Sequence, residues 1–333
     1  MDTLLEAIDV CDVDGFCYGN YTDEEAGTGC TVIVAPEGAT GGADVRGGAP
    51  ASRETDLLRP ENTVDKVHAV CLSGGSAFGL EAASGVAREL ESRGIGLPVG
   101  PTQVPIVCSS CIFDLAFGDP TVRPDIEAGI AAVREALDNT PTTLEQGNVG
   151  AGTGATVGKL MGPATCMKAG LGAAALALGP IKVGAVVSVN ACGNVVDPFT
   201  GEWVAGMRAA ADSDQIVDME LAAFAAAGSM QMPLDRTNTT ISCIVTNVEL
   251  TKAQATKVSQ MAADAYAHTI RPTHTTNDGD TIYTLASGKL GAQASAAIPL
   301  DLLGVLAVRA LETAIVNGAK TAKTSHGIPG AAK

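Results

Sequence analysis

Apolar and polar positions in this chain fall into short strand-like blocks, glycine-rich breaks and a few alanine-rich stretches. The block at 30–35 reads as a buried strand and the block at 67–72 as a second strand. The second block runs through Ser73-Gly74-Gly75-Ser76 into a helical pattern over 77–93 that Gly94 closes. The glycines of 41–48 read as a turn region, and a helix is expected over 125–137. Glycine and small residues fill 148–158, and apolar runs at 170–178 and 183–189 predict two strands joined at Gly179-Pro180. The alanine-rich stretch 204–227 predicts a long helix. A polar loop over 233–238 runs straight into a β-branched strand over 240–248. Thr251-Lys252-Ala253-Gln254 then matches a capping box that opens a helix running to His268. A further strand is expected at 280–286, and Pro299 suits the first turn of a last helix ending near Gly318. The tail 319–333 reads as mobile. Helices alternate with strands, yet several neighbours are strand-to-strand pairs, which predicts mixed sheets with helices packed outside them.

Composition narrows the picture. The chain has 333 residues, 46% of them hydrophobic, so it can bury a large core in one domain, 1–333. Aromatics are only 3% while glycines number 39, which favours tight layers over aromatic clusters. A net charge of −16 repels phosphate backbones, so no nucleic-acid partner is expected, and no Lys/Arg run suggests a membrane patch. Nine cysteines include one Cys-x-x-Cys at Cys108 and Cys111, but none of the four histidines has zinc-ligand spacing to it. Buried free thiols are expected, with no metal and no cofactor. The amino-terminal residues lack the positive region of a signal peptide, and the longest apolar run, 169–181, is too short to span a bilayer. The expectation is a soluble, cytoplasmic protein.

Several familiar patterns fail on inspection. Gly158-Lys159 invites a phosphate loop, but Thr153 and Leu160 stand where glycine and Ser/Thr are required. Gly150-Ala151-Gly152-Thr153-Gly154 lacks the strand–turn–helix context and the acidic partner of a dinucleotide site. Asn277-Asp278-Gly279-Asp280 lacks the rest of a calcium loop. Its paired carboxylates at a strand start can still orient an amine or relay a proton. His274, just upstream, reads as a structural histidine. Lys159 and Asn190 are individually ordinary, but both lie at predicted strand ends where a cleft can gather them. There Asn190 would donate to an oxyanion and Lys159 would stabilise charge.

Asn238-Thr239-Thr240-Ile241 carries the most chemistry. If the Asn238–Thr239 bond were cut, the Thr239 hydroxyl would share a residue with its own α-amine. That pairing activates a weak nucleophile, and an α-amine titrates near ~7.7–8.0. The plainer alternative is a strand that begins with threonines, which strands favour.

The ordered set of motifs decides between them. Asp44-Val45-Arg46-Gly47-Gly48-Ala49-Pro50 and Arg53-Glu54-Thr55-Asp56-Leu57-Leu58 come first. Leu72-Ser73-Gly74-Gly75-Ser76-Ala77-Phe78-Gly79-Leu80 and Ile112-Phe113-Asp114-Leu115 follow, then Asn238-Thr239-Thr240-Ile241 and Asp278-Gly279-Asp280-Thr281. Across almost its whole length the chain resembles the self-processing L-aminopeptidase/D-amidase-esterase family. That group also holds β-peptidyl aminopeptidases and endo-type 6-aminohexanoate (nylon) oligomer hydrolases. The resemblance implies a four-layer αββα sandwich of N-terminal-nucleophile type. It implies autocleavage between Asn238 and Thr239 into fragments 1–238 and 239–333, and a likeness to family members that form tetramers of the cleaved heterodimer. Thr239 maps to the nucleophile, Asp278 and Asp280 to its acidic partners, Asn190 to the oxyanion donor and Lys159 to the lysine of the nylon-hydrolase branch. Phe113 stands in the substrate site where several members have tyrosine, so a phenolic donor is missing.

The expected function is therefore an amide hydrolase acting on short peptides or amino-acid amides, with no cofactor. A nylon-oligomer endohydrolase is the alternative. An ornithine acetyltransferase-like acyl transferase, which also cleaves before threonine, is more distant. A binding protein with no chemistry predicts one uncut chain.

Overall fold

The computed structural model describes residues 4–228 and 238–332. Most of the loop 233–238 read from the sequence lies outside the described residues. Nine strands build the frame: β1 Leu5–Ile8, β2 Cys17–Asp23, β3 Thr28–Val45, β4 Val67–Ser73, β5 Val107–Cys111, β6 Leu171–Leu178, β7 Ile181–Asn190, β8 Thr239–Thr246 and β9 Thr281–Ala286. Their hydrogen-bonded order is β1-β6-β7-β8-β9-β3-β4-β5, with β2 also on β3. β3 serves two sheets. Its first half pairs with β2 and β4, its register slips between Val34 and Ala39, and its last residues pair with β9. Most pairs are antiparallel, but β8–β9 and β4–β5 are parallel. Each parallel pair needs a crossover. Helix α1 (Ala82–Ser92) lies in the β4–β5 connection, and helices α4 (Lys252–Ala262) and α5 (Asp264–Thr269) lie in the β8–β9 connection.

The buried clusters define the layers. Between the sheets, Ile33, Val70 and Leu72 meet Ile241, Val245, Tyr283 and Leu285. On one outer face, Val86 and Leu90 of α1 and Ala132 of α2 (Ile126–Arg134) cover Val32, Val34 and Cys71. On the other, α4, α5 and α6 (Leu300–Lys320) pack on Val183, Val187 and Ile244. The result is the four-layer αββα sandwich. Helix α6 is long and apolar enough to cross a membrane, but here 67% of its apolar stretch is buried against the sheet.

Several sequence expectations change. The glycines at 41–48 are not simply a turn, because β3 continues to Val45. A Cβ on Gly42 would sit 2.3 Å from the Thr256 nitrogen, so glycine lets α4 lie directly on the strand. The helix predicted over 204–227 begins only at Met219 as α3 (Met219–Gly228). Trp203–Ala205 is a strand instead, and the buried Arg208 holds the following segment through the carbonyls of Ala164 and Cys166. Asp218 then accepts the Glu220 and Leu221 amides and starts the helix. The tail is also ordered, not mobile. The Lys168 amide donates to the Pro329 carbonyl at 2.8 Å, and the Phe117 and His326 rings meet at 4.7 Å.

Candidate active site

Three strand ends meet at one point. β7 ends at Asn190, whose Cα is paired with Thr239 at the start of β8. The Asp278-Gly279-Asp280 turn leads into β9 and bridges Asn238 through Asp278. Asn190, Asn238, Thr239, Asp278 and Asp280 are all buried. Five residues spread from 190 to 280 thus gather because the fold places β8 between β7 and β9.

Two donors meet the carbonyl oxygen of the Asn238–Thr239 peptide. Thr239 Oγ1 donates to the Asn238 carbonyl oxygen. The Gly279 amide donates to the same oxygen at 3.2 Å. Glycine suits this close approach: a Cβ there would lie 3.0 Å from Thr239 Oγ1, so the neighbour would have to give. The turn is gripped from behind by the first glycine-rich motif. Arg46 and Gly47 amides donate to the Asp280 carbonyl at 3.1 and 3.2 Å, and the Ala49 amide donates to the Asp278 carbonyl at 2.8 Å. A Cβ on Gly47 would be 2.3 Å from the Asp278 carbonyl oxygen, so this grip also requires glycine.

The two carboxylates differ. Asp280 Oδ1 accepts the Thr240 amide at 2.8 Å. Its Oδ2 accepts the His274 amide at 3.0 Å and the Thr273 hydroxyl at 3.2 Å, and faces His274 Nδ1 at 2.9 Å. Asp278 Oδ2 accepts the Thr275 amide at 2.6 Å, while its Oδ1 is buried with no partner among the described residues. Burial, and then the charge of Asp280, push Asp278 above the usual carboxylate range.

On the other side, Lys159 Nζ donates to the Asn190 carbonyl at 2.9 Å and to its Oδ1 at 2.7 Å. Loss of solvent brings the Lys159 ammonium down to about 8, against the opposing pull of nearby acidic groups that include Asp278. Asn190 Oδ1 also accepts the Thr156 amide at 3.1 Å, and Asn190 Nδ2 donates to the Phe113 carbonyl at 3.0 Å. Phe113 thus touches the site through its backbone and is among the residues lining a cavity of about 60 Å³ beside Lys159. The Cys192 thiol lies near the same carboxylates and is pushed up to about 11, chiefly by burial, so it stays protonated at neutral pH.

Sequence reasoning set His274 aside, and the structure draws it in. His274 has a positive φ of 55°, binds Asp280 through both its amide and Nδ1, and stacks on the Tyr266 ring. Tyr266 in turn donates toward the Thr240 carbonyl and Ser242 Oγ at 3.2 and 3.0 Å. The six-residue offset from His274 to Asp280 was the available signal. Two further groups went unread. Lys168 is buried and caps the carbonyls of Gly152, Ala155 and Ala169, and Asp114 is buried against the Thr28 hydroxyl and the Gly75 amide. No periodic pattern marks either one.

The arrangement resembles known proteins. An uncharacterised aminopeptidase of Mycobacterium leprae is 39% identical, with 96% of this chain and 92% of that one aligned. A 6-aminohexanoate-oligomer endohydrolase of Kocuria sp. is 31% identical over 93% of this chain and 85% of its own length. Among solved structures, the L-aminopeptidase D-Ala-esterase/amidase of Ochrobactrum anthropi, described as a variant of the Ntn hydrolase fold, superposes with a TM-score of 0.66. It is 19% identical, with 95% of this chain and 86% of that one covered, so the likeness speaks for the fold. With residues 9–332 matching its family pattern, this chain belongs to peptidase family S58.

Proposed function

We propose that the protein is a self-processing amide hydrolase whose nucleophile is Thr239. One observation carries this reading: the Thr239 hydroxyl lies against the Asn238 carbonyl, whose oxygen already receives a backbone donor from Gly279. Attack forms the Oγ–C bond and places negative charge on that oxygen, where a fixed N–H is worth most. Collapse breaks the C–N bond, the hydroxyl proton passes to the leaving nitrogen, and an ester remains. Water then supplies OH to the Asn238 carboxyl and H to Oγ. The freed α-amine offers donors beside Asp278, whose Oδ1, without a partner among the described residues, is suited to accept one. In the mature enzyme that amine serves as the base for Oγ. Asn190 stabilises the substrate oxyanion, Lys159 adds positive charge, and Asp280 fixes the Thr240 amide and with it the start of β8.

The substrates are short peptides or amino-acid amides, in keeping with the aminopeptidase name of the mycobacterial relative. The oligomer endohydrolase relative favours a second reading, cleavage of 6-aminohexanoate oligomers. Amino-terminal sequencing of the purified protein tests the first claim. A second amino terminus reading Thr239-Thr240-Ile241-Ser242 is expected, with Thr239→Ala left as one 33.5 kDa chain. If Thr239→Ala still splits at the same bond, cleavage runs through cyclisation of Asn238 and the proposed nucleophile is wrong.

A further inference from the structure

We propose that Tyr266 is a positioning residue for the reaction: its phenolic hydroxyl reaches from helix α5 to the Thr240 backbone and so keeps the Thr239 hydroxyl aimed. This rests on the reading of Thr239 as the nucleophile and adds the group that holds it in line.

Packing alone does not call for a tyrosine here. Tyr266 is fully buried in an apolar layer with Ala262, Ala265, Ile244 and Ala310. A phenylalanine ring would fill the same space without carrying a hydroxyl into it, where a polar atom without a partner is costly. The hydroxyl donates to the Thr240 carbonyl at 3.2 Å and lies 3.0 Å from Ser242 Oγ. Alternate residues of a strand share a face, so Thr240, Ser242 and Ile244 all look toward the helices. The phenol thus spans from the helix layer to the residue that follows Thr239. Burial, and then the charge of Asp280, push it well above the usual phenol range, so it remains a donor.

The contacts close on themselves. The Thr240 amide donates to Asp280 Oδ1 at 2.8 Å, and Asp280 Oδ2 faces His274 Nδ1 at 2.9 Å. The His274 ring then stacks on Tyr266 with centroids 5.5 Å apart. Two peptide planes flank Thr240. Asp280 holds the first by its N–H, and Tyr266 holds the second by its C=O. Peptide units are planar, so a residue held at both of its planes keeps its φ and ψ. The first plane carries Thr239 on its other side, and Thr239 Oγ1 lies against the Asn238 carbonyl in that setting. Cleavage makes the hold matter more. Once the bond to Asn238 is broken, the one backbone link left to Thr239 is that to Thr240.

Removing this one hydroxyl should therefore slow the chemistry of molecules that are fully folded. One such hydrogen bond corresponds to about 2- to 12-fold in rate. Tyr266→Phe should self-cleave about 3- to 10-fold more slowly than wild type. In the mature enzyme, kcat for alanine 4-nitroanilide should fall by a similar factor while KM stays within about twofold, because aim and not substrate binding is lost. Tyr266 and His274 serve one circuit. Tyr266→Phe should thus cost less in a His274→Ala chain than it does in wild type.

The test is the rate at which the Thr239 amino terminus appears after refolding, measured well below the melting temperature. Wild type, Tyr266→Phe, His274→Ala, their double variant and His268→Ala are compared. Melts of each change in the uncleaved Thr239→Ala background report stability separately. His268→Ala controls for the helix itself, since half-exposed His268 ties α5 to Glu312 of α6 at 2.6 Å. It should lower Tm and leave the cleavage rate within about twofold of wild type. Slower cleavage by Tyr266→Phe with His268→Ala unchanged supports the proposal. Equal slowing in both shows that helix stability alone matters and overturns it, as does a Tyr266→Phe chain that cleaves and hydrolyses at the wild-type rate. Losses that multiply in full in the double variant overturn the shared circuit. Wild type that never cleaves overturns the Thr239 reading along with this one.

Discussion

Gly279→Ala perturbs the candidate site by a single methyl group. Gly279 lies outside the left-handed region, so alanine meets no backbone strain there. Its Cβ would instead lie 3.0 Å from Thr239 Oγ1, 3.1 Å from Thr239 Cγ2 and 3.0 Å from the Ala49 carbonyl oxygen. Relief requires a shift of a few tenths of an ångström. The Ala49 backbone is held by the hydrogen bond its N–H donates to the Asp278 carbonyl, so the Thr239 side chain must yield. Threonine is stiff about χ1, and turning it about 30° off its rotamer costs about 0.5–1.5 kcal/mol. That energy alone is about 2- to 12-fold in rate. Misplacing a reacting atom by 1 Å costs about 10²-fold, so a third of that distance adds about fivefold. Self-cleavage of Gly279→Ala should therefore be about 10- to 60-fold slower than wild type. Chain conversion followed on gels after refolding from denaturant measures it. The companion is thermal unfolding of Gly279→Ala in the uncleaved Thr239→Ala background. There Oγ1 and Cγ2 are gone, only the Ala49 contact remains, and the added methyl should cost less stability than it does beside threonine. Cleavage of Gly279→Ala within twofold of wild type would falsify the proposed placement of Oγ.

Three more outcomes follow from the same geometry. Because burial holds Lys159 at about 8, self-cleavage of the intact chain, which has no free Thr239 amine, should fall as pH rises through about 8. Lys159→Met should be slow throughout and lose that limb, whereas a wild-type rate that climbs through the same range would make the lysine a base. Asp278→Asn should slow hydrolysis by about 10²-fold or more if the carboxylate handles the α-amine. In the uncleaved Thr239→Ala chain, however, it should raise stability. The folded pKa of Asp278 lies above its unfolded value, so its ionisation weakens the fold as pH rises from about 3.9 through the folded value. The Asp278→Asn gain in Tm should thus appear at pH 7 and disappear toward pH 4, and melts at both pH values check it. His274→Ala should slow self-cleavage about tenfold by loosening Asp280, a loss in the range of one charge-assisted hydrogen bond. His274→Asn keeps a donor and tolerates the positive φ, so it should recover most of the rate, and failure of that rescue argues for a role of the imidazole itself.

How much of this was visible in the sequence depends on the range of the contact that creates each feature. Local signals held. The Thr251–Gln254 capping box forms as read, and the hairpin of β6 and β7 turns at Gly179-Pro180. The αββα layering also follows from the resemblance and is present. What misled were glycine and alanine, whose local meaning is ambiguous. Gly41 and Gly42 suggested a turn, but they sit in a strand because Leu58, Val67 and the α4 backbone leave no room for a Cβ. The alanines after 204 suggested a helix, but Asn194 Oδ1 takes the Met207 amide at 2.7 Å and the buried Arg208 donates to the Ala211 and Ser213 carbonyls, which a helix would use itself.

The candidate site shows why pattern reading reaches residues but not their division of labour. Thr239, Asp278, Asp280, Asn190 and Lys159 were legible as a set only through the resemblance, because their spacing follows no helix or strand period. Their meeting depends on β8 lying parallel to β9 and antiparallel to β7, which brings two strand starts and one strand end to the same edge. Once that topology is given, the two aspartates cease to be equivalent. Asp280 is fully occupied by the Thr240 amide and by Thr273 and His274, so it acts as a brace. Among the described residues Asp278 Oδ1 has no partner, and leaving a buried acceptor without one costs about 1–3 kcal/mol. New N–H donors beside Asp278 would satisfy that oxygen. Cutting the backbone before Thr239 creates such donors, and the same step that releases the nucleophile would also complete the polar lining of the site.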